Sequence, residues 1–105
     1  MEKYFAVTSS GKTLRSFFDL RFGQCSYLIF HKPGSDVSKL LENPFKFEDD
    51  ADRKLAELLK ENGITAVITG GVGLTASQLL SENKIQIILL NEEKIKIEDV
   101  LARLG

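Results

Sequence analysis

The stretch ITAVITGGVGLTASQLL, Ile64 to Leu80, decides the fold. ITAVIT, Ile64 to Thr69, is a near-continuous β-branched run, the pattern of a strand buried on both faces. GGVG follows, and LTASQLLSEN then reads as a helix with Leu79 and Leu80 turned inward. The same succession can be read on either side. Upstream, EDDADRKLAELLKENG crowds Glu48, Asp49 and Asp50 at its front, where a helix N-terminus favours negative charge. Ala51, Leu55, Leu58 and Leu59 share one helical face, and Gly63 is placed as the C′ residue. Downstream, Asn83 is expected in the left-handed position, and Ile85 to Leu90 (IQIILL) is a further strand. LLKENGI (Leu58 to Ile64) and LLSENKI (Leu79 to Ile85) echo each other across helix end, turn and strand start. Two consecutive α–β units are built alike.

Working outward, Phe5 to Thr8 (FAVT) reads as a short buried strand followed by the turn cluster SSGK. Leu14 to Phe18 is apolar and too brief to assign. Ser26 to His31 is a second strand, ended by KPGS, and Val37 to Leu41 a third. The short KPGSD connection makes these two an antiparallel hairpin. Ile97 to Leu104 is a last helix, with Glu98 and Asp99 expected to cap its start. The order β-β-β-α-β-α-β-α predicts a three-layer α/β domain with helices on both faces of a mixed five-stranded sheet. The expected strand order is 3-2-1-4-5 with strand two antiparallel, a ribonuclease H-like topology.

The 105 residues form one domain, 1–105, with no linker or low-complexity segment. The net charge of −1 supplies no field to recruit nucleic acid or an anionic membrane. MEKYFAVTSSGK has no secretory pattern, and IQIILL is far short of a membrane span. The single cysteine cannot form an internal disulfide, so the expected compartment is the reducing cytoplasm.

The topology says where a ligand belongs. The chain leaves strand one on one side and returns to its other side for strand four. Open α/β sheets bind ligands at such a switch point, beyond the carboxyl ends of the strands. The loop from Ser9 and Ser10 through DLRFGQC (Asp19 to Cys25) and the loop GGVG should both reach this crevice. Gly70, Gly71 and Gly73 let backbone N–H groups approach a ligand, and the helix behind them favours anions. The same glycines also suit a plain strand-to-helix turn. Arg21 can attract an anion or pair with Asp19 to brace the loop. Cys25 can be a soft metal ligand or a small buried residue.

Catalysis is not expected. A ribonuclease H-like nuclease needs a carboxylate on strand one, and FAVTSS offers none. A thiol enzyme needs a base near Cys25. The chain's one histidine, His31, would lie about 20 Å away along a straight strand.

TSSGKTLRSFFDLRFGQCSYLIF, then LENP, then GITAVITGGVGLTASQLL, resembles the dinitrogenase iron–molybdenum cofactor-binding family. This family comprises nitrogenase accessory proteins that include NifX-type carriers and the C-terminal domain of NifB. The most specific piece is D-x-R-F-G-x-C, here Asp19, Arg21, Phe22, Gly23 and Cys25, followed by Tyr27. The E-N-P of Glu42 to Pro44 and the I-T-G of Ile68 to Gly70 support it.

The resemblance implies a ribonuclease H-like fold and non-catalytic binding or carriage of an anionic iron–sulfur or iron–molybdenum cluster. Cys25 would be the metal ligand. Ser9, Ser10, Arg21, Gly70, Gly71 and Gly73 would complete the cofactor-binding set. Cofactor-carrying members resemble H-F-G where this chain has Arg21-Phe22-Gly23, and arginine cannot ligate a metal. KFEDDA (Lys46 to Ala51) replaces a glycine-rich, often histidine-containing segment. A single thiolate leaves a cluster under-ligated, so a homodimer, or a cluster-donor or acceptor protein, would supply further ligands. The alternative is a module that binds a small anion, such as a phosphorylated metabolite, in the same crevice.

Overall fold

The computed structural model describes residues 3–35 and 38–104. Five strands and three helices follow one another: β1 (Phe5–Ser9), β2 (Tyr27–His31), β3 (Ser38–Glu42), α1 (Ala51–Glu61), β4 (Ala66–Thr69), α2 (Leu74–Glu82), β5 (Gln86–Leu89) and α3 (Ile97–Leu104). The strands form one sheet in the order β3-β2-β1-β4-β5. β2 is antiparallel to both its neighbours, and β1, β4 and β5 are parallel. Element order, strand order and the orientation of β2 are those expected. Val37, expected to begin β3, lies outside the described residues.

The two-residue period of a strand sends alternate side chains to opposite faces. In β1, Phe5 and Val7 join Ile97, Val100 and Leu101 of α3, whereas Ala6 faces Leu55 and Leu59 of α1 and Leu80 of α2. β4 splits in the same way: Ala66 and Ile68 go toward α3, Val67 toward α1 and α2. Every residue of β1 and β4 is buried. This is why ITAVIT carries no alternation of apolar and polar residues. No described helix is long and apolar enough to cross a membrane.

The echo between LLKENGI and LLSENKI is one structural device used twice. At the end of α1, Gly63 donates to Lys60 O at 3.1 Å and Ile64 to Leu59 O at 3.1 Å. At the end of α2, Lys84 donates to Ser81 O at 3.0 Å and Ile85 to Leu80 O at 2.8 Å. Both are Schellman closures. In each, an asparagine side chain reaches back one turn, Asn62 to Leu58 O and Asn83 to Leu79 O, both at 2.8 Å. The left-handed residue is therefore Lys84 (φ 59), not Asn83 as expected. Asn83 has φ −93 and is the C-cap itself.

The segment before Asp19 is neither helix nor strand. It folds back through Ser10 N to Phe17 O (2.9 Å) and crosses to the start of α3. There Ile97 N donates to Ser16 O (2.9 Å) and Glu98 N to Leu14 O (2.8 Å). α3 is capped by these loop carbonyls, and Glu98 and Asp99 supply charge to its first turn.

Candidate functional site

The site begins where β1 and β4 end together. Thr8, Ser9 and Thr69 are buried there. Thr8 Oγ1 donates to Asp19 O at 2.5 Å and lies 3.2 Å from Thr69 Oγ1, while Asp19 N donates to Thr8 O at 3.0 Å. These bonds turn the first loop back over the strand ends. The loop then crosses to β4, where Arg21 forms a parallel bridge with Gly71. Leu20 passes so close to Gly70 that a Cβ at Gly70 would stand 2.6 Å from Leu20 Cα and O. Glycine at 70 is a requirement of this crossing. The first loop and the glycine loop thus meet, as the switch-point argument predicted.

The crossing aims Arg21. The buried Asp19 carboxylate accepts Arg21 N at 2.9 Å and Nε at 3.1 Å on Oδ1, and Nη2 at 3.1 Å on Oδ2. This is a bidentate clamp. The hydrogen bond to Asp19 and then its charge push the Arg21 pKa up from an already high value. The Arg21 side chain remains 58% exposed, so the clamp holds it at the surface. Bracing and presentation are one arrangement here.

Phe22, Gly23 and Cys25 go inward. Asn43, itself buried, holds this half of the loop. Its Nδ2 donates to Gly23 O at 2.9 Å and Cys25 O at 2.8 Å, and its Oδ1 accepts Phe45 N at 3.0 Å. The E-N-P of the sequence is therefore the brace of the D-x-R-F-G-x-C loop.

Between this loop and the N-termini of α1 and α2 lies a cleft of about 490 Å³. Arg21, Gly23, Gln24, Gly73, Leu74 and Thr75 line it together with Glu48, Asp49, Asp50, Asp52 and Arg53 from the start of α1 and the segment before it. Arg53 pairs with Asp50 and Glu57 at 3.0 Å, and Lys54 pairs with Glu48. Leu74, in the cleft lining, is 76% exposed, and Phe47, in the neighbouring depression beside Arg21 and Gln24, is 92% exposed under Lys46 Nζ.

The residues singled out in the sequence separate into two groups. Arg21, Gly71 and Gly73 come together at the cleft or its edge, and Gly70 lies beneath them under Leu20. Cys25, expected as the thiolate ligand, is placed instead in the core with Leu28, Leu55 and Leu59, at 0% exposure. Burial first and the Asp19 charge second push its thiol up to about 12. The lowering by the Arg21 charge is the smallest influence. Ser9 is buried and bonded to Gly11 of its own turn, and Ser10 donates to Phe17 O at 2.8 Å. His31 pairs with Phe5, at the opposite end of β1 from the cleft. Burial lowers its pKa, and its Nε2 has no hydrogen-bond partner among the described residues.

Two residues of the site carry no sequence signal. Asn43 is read there only as part of E-N-P, and Asp52 is not singled out at all. Among the described residues, no three histidine, cysteine, aspartate or glutamate side chains converge to hold a metal ion.

A model of the family described as dinitrogenase iron–molybdenum cofactor matches residues 1–105, the whole chain. The chain belongs to this family. The iron–molybdenum cofactor family's fold is found again in solved structures. The apo form of the orange protein from Desulfovibrio gigas superposes with a TM-score of 0.87 at 23% identity, covering 98% of this chain and 87% of that one. A Thermotoga protein described as a NifB candidate of the DUF35 family gives a TM-score of 0.80 at 21% identity, covering 95% and 84%. At these identities the likeness is one of fold. No curated protein gives a significant match.

Proposed function

We propose that the chain is a non-catalytic carrier of an anionic metal cluster, of iron–sulfur or iron–molybdenum type, seated at the cleft between the first loop and Gly71–Gly73. The observation that carries this reading is the Arg21–Gly71 bridge. It sets an exposed, permanently charged guanidinium beside the glycine start of α2, and the family supplies the class of ligand. Charge and backbone N–H groups, rather than a thiolate, would hold the cargo. With Cys25 buried, the metal-ligating atoms would come from a partner protein, the cluster's donor or acceptor, or from a second copy of the chain. Phe47 and Leu74 have the exposure of docking anchors for that partner. The cytoplasm is the proposed compartment.

A second reading is favoured by one feature. The acids on the α1 side of the cleft oppose a large anionic cluster, whereas a small anion can sit by Arg21 alone. Metal and sulfide analysis decides between the readings. The chain is purified anaerobically from a cluster-making host as wild type, Arg21→Ala and Cys25→Ala. The carrier reading expects iron with sulfide in wild type and in Cys25→Ala, and at least tenfold less in Arg21→Ala. Metal lost with Cys25→Ala but kept with Arg21→Ala would restore the thiolate as ligand. A metal-free wild type would leave the small-anion module.

A further inference from the structure

β3 is an edge of the sheet, and its pairing with β2 fixes which of its backbone groups are free. Asn43 N donates to Ser26 O at 3.0 Å, and these two residues continue the register that sets Glu42 opposite Tyr27 and Leu41 opposite Leu28. In an antiparallel ladder only alternate pairs exchange hydrogen bonds. Asn43, Leu41 and Lys39 therefore turn their N–H and C=O groups inward to β2. Ser38, Leu40 and Glu42 turn theirs outward, and these groups bond to no other described residue. β3 holds no proline, and all five of its residues keep register with β2 without a bulge. The opposite edge offers less. β5 has four residues, and Gln86 and Leu90 donate inward to Thr65 O and Thr69 O, which leaves Ile87 and Leu89 to face out.

We propose that β3 pairs with β3 of a second copy of the chain, antiparallel about a two-fold axis at Leu40, to give a dimer with one continuous sheet. The occupant follows from symmetry. The outward residues are spaced evenly about Leu40. A two-fold there sets Leu40 opposite Leu40 and Ser38 opposite Glu42. Every outward residue then meets another outward residue, and each pair exchanges both of its backbone bonds. Other registers do worse. A shift of two residues toward Pro44 sets Ser38 against that proline, which has no N–H. The opposite shift sets Lys39 directly against Lys39. In the register centred on Leu40, Lys39 lies opposite Leu41 and no like charges are directly opposed. Leu40, 43% exposed on the same face of the sheet as Ile29, is covered by its own copy. The paired area is small, so the dimer is a weak one, with a Kd on the order of 100 µM. β3 runs parallel to β1, so the two-fold points the two clefts to opposite ends of the joined sheet. Each copy keeps an open cleft, and a second copy held in this way supplies no ligand to it.

The test is sedimentation equilibrium of the full chain up to about 1 mM, tenfold above the expected Kd. Wild type, Leu40→Lys, Leu40→Pro and Leu89→Lys are compared. The wild-type mass should rise from 11.7 kDa toward twice that value with concentration. Leu40→Lys opposes two ammonium groups on the axis and should weaken association at least about tenfold. Leu40→Pro removes an outward N–H that β2 does not use, and should be a folded monomer. Leu89→Lys makes the same change of charge on the other edge and should associate as wild type does. Melting temperatures show which variants are folded, and Leu40→Lys carries the test if Leu40→Pro is not. Amide hydrogen exchange reads the register. The amides of Ser38, Leu40 and Glu42 should exchange more slowly as concentration rises, and those of Lys39 and Leu41 should change less. A wild type that stays monomeric at about 1 mM overturns the inference. So does association undiminished in Leu40→Lys, an equal loss in Leu89→Lys, or slowing that does not alternate along β3. None of these readouts involves metal or anion, so the outcome is independent of the carrier reading.

Discussion

The two α–β units of this chain are alike at one end and unlike at the other. At the rear, where helix passes to strand, α1 and α2 close with the same pair of backbone bonds and the same back-reaching asparagine. At the front, α1 begins behind Glu48, Asp49 and Asp50, and α2 begins on bare glycine. The rear ends only have to reverse the chain, and one solution serves both. The front ends share a cleft, and there the units divide the work. One begins behind a run of acids, and the other on glycine. Divergence between repeated units thus marks the site better than any single residue type does.

The largest expected effect tests what lies behind the front end. At pH 8, alkylation of Cys25 by iodoacetamide should be about a thousandfold slower in the native protein than in urea. That factor follows from a thiol moved from 9.0 to about 12, and burial adds to it. Because the folded pKa is raised, the neutral thiol's contribution to stability is fully present below pH 9. It is lost as pH rises from 9 toward 12. Cys25→Ala should flatten that alkaline limb in urea melts. Fast labelling of native protein would return Cys25 to the front of the cleft.

Next in size is Gly70→Ala. The added Cβ meets the backbone of Leu20, which cannot move without releasing the Arg21–Gly71 bridge. A loss of about 3 kcal/mol is expected by urea denaturation, the upper range for overpacking. A loss below about 1 kcal/mol would show that the loop does not need this crossing.

The smallest effects compare the rear ends directly. Gly63 and Lys84 hold the same left-handed position, with φ 75 and 59, and a Cβ at Gly63 would meet open space. Backbone conformation alone should decide both substitutions. Gly63→Ala should cost about 1 kcal/mol, and Lys84→Gly should stabilise by up to about 1 kcal/mol. Equal and opposite shifts in thermal melts would confirm that the two closures are one device. The same sign for both would break the equivalence.

Much of the fold was legible because burial writes directly on composition. ITAVIT could only be a strand covered on both faces, and the β-β-β-α-β-α-β-α order leaves few sheets to build. Gly63 was readable because one residue type dominates its conformation. Lys84 was not, since any side chain can be forced into that position by a helix closure formed around it. Arg21 was found because it stands in a loop at a switch point. Asn43 was not, because its role depends on groups far away in sequence, Gly23 and Cys25.

By itself, then, the sequence determined the elements, the strand order, the crevice and the family, all of which follow from periodicity, chain connection and local motif. Only the tertiary structure decided which face of the first loop meets water. The Asp19 clamp turns Arg21 outward, and the Asn43 brace turns Cys25 inward. Three residues separate opposite fates that no local pattern distinguishes. The physical reason is that both fates are set by hydrogen bonds to partners that the fold must first bring within reach.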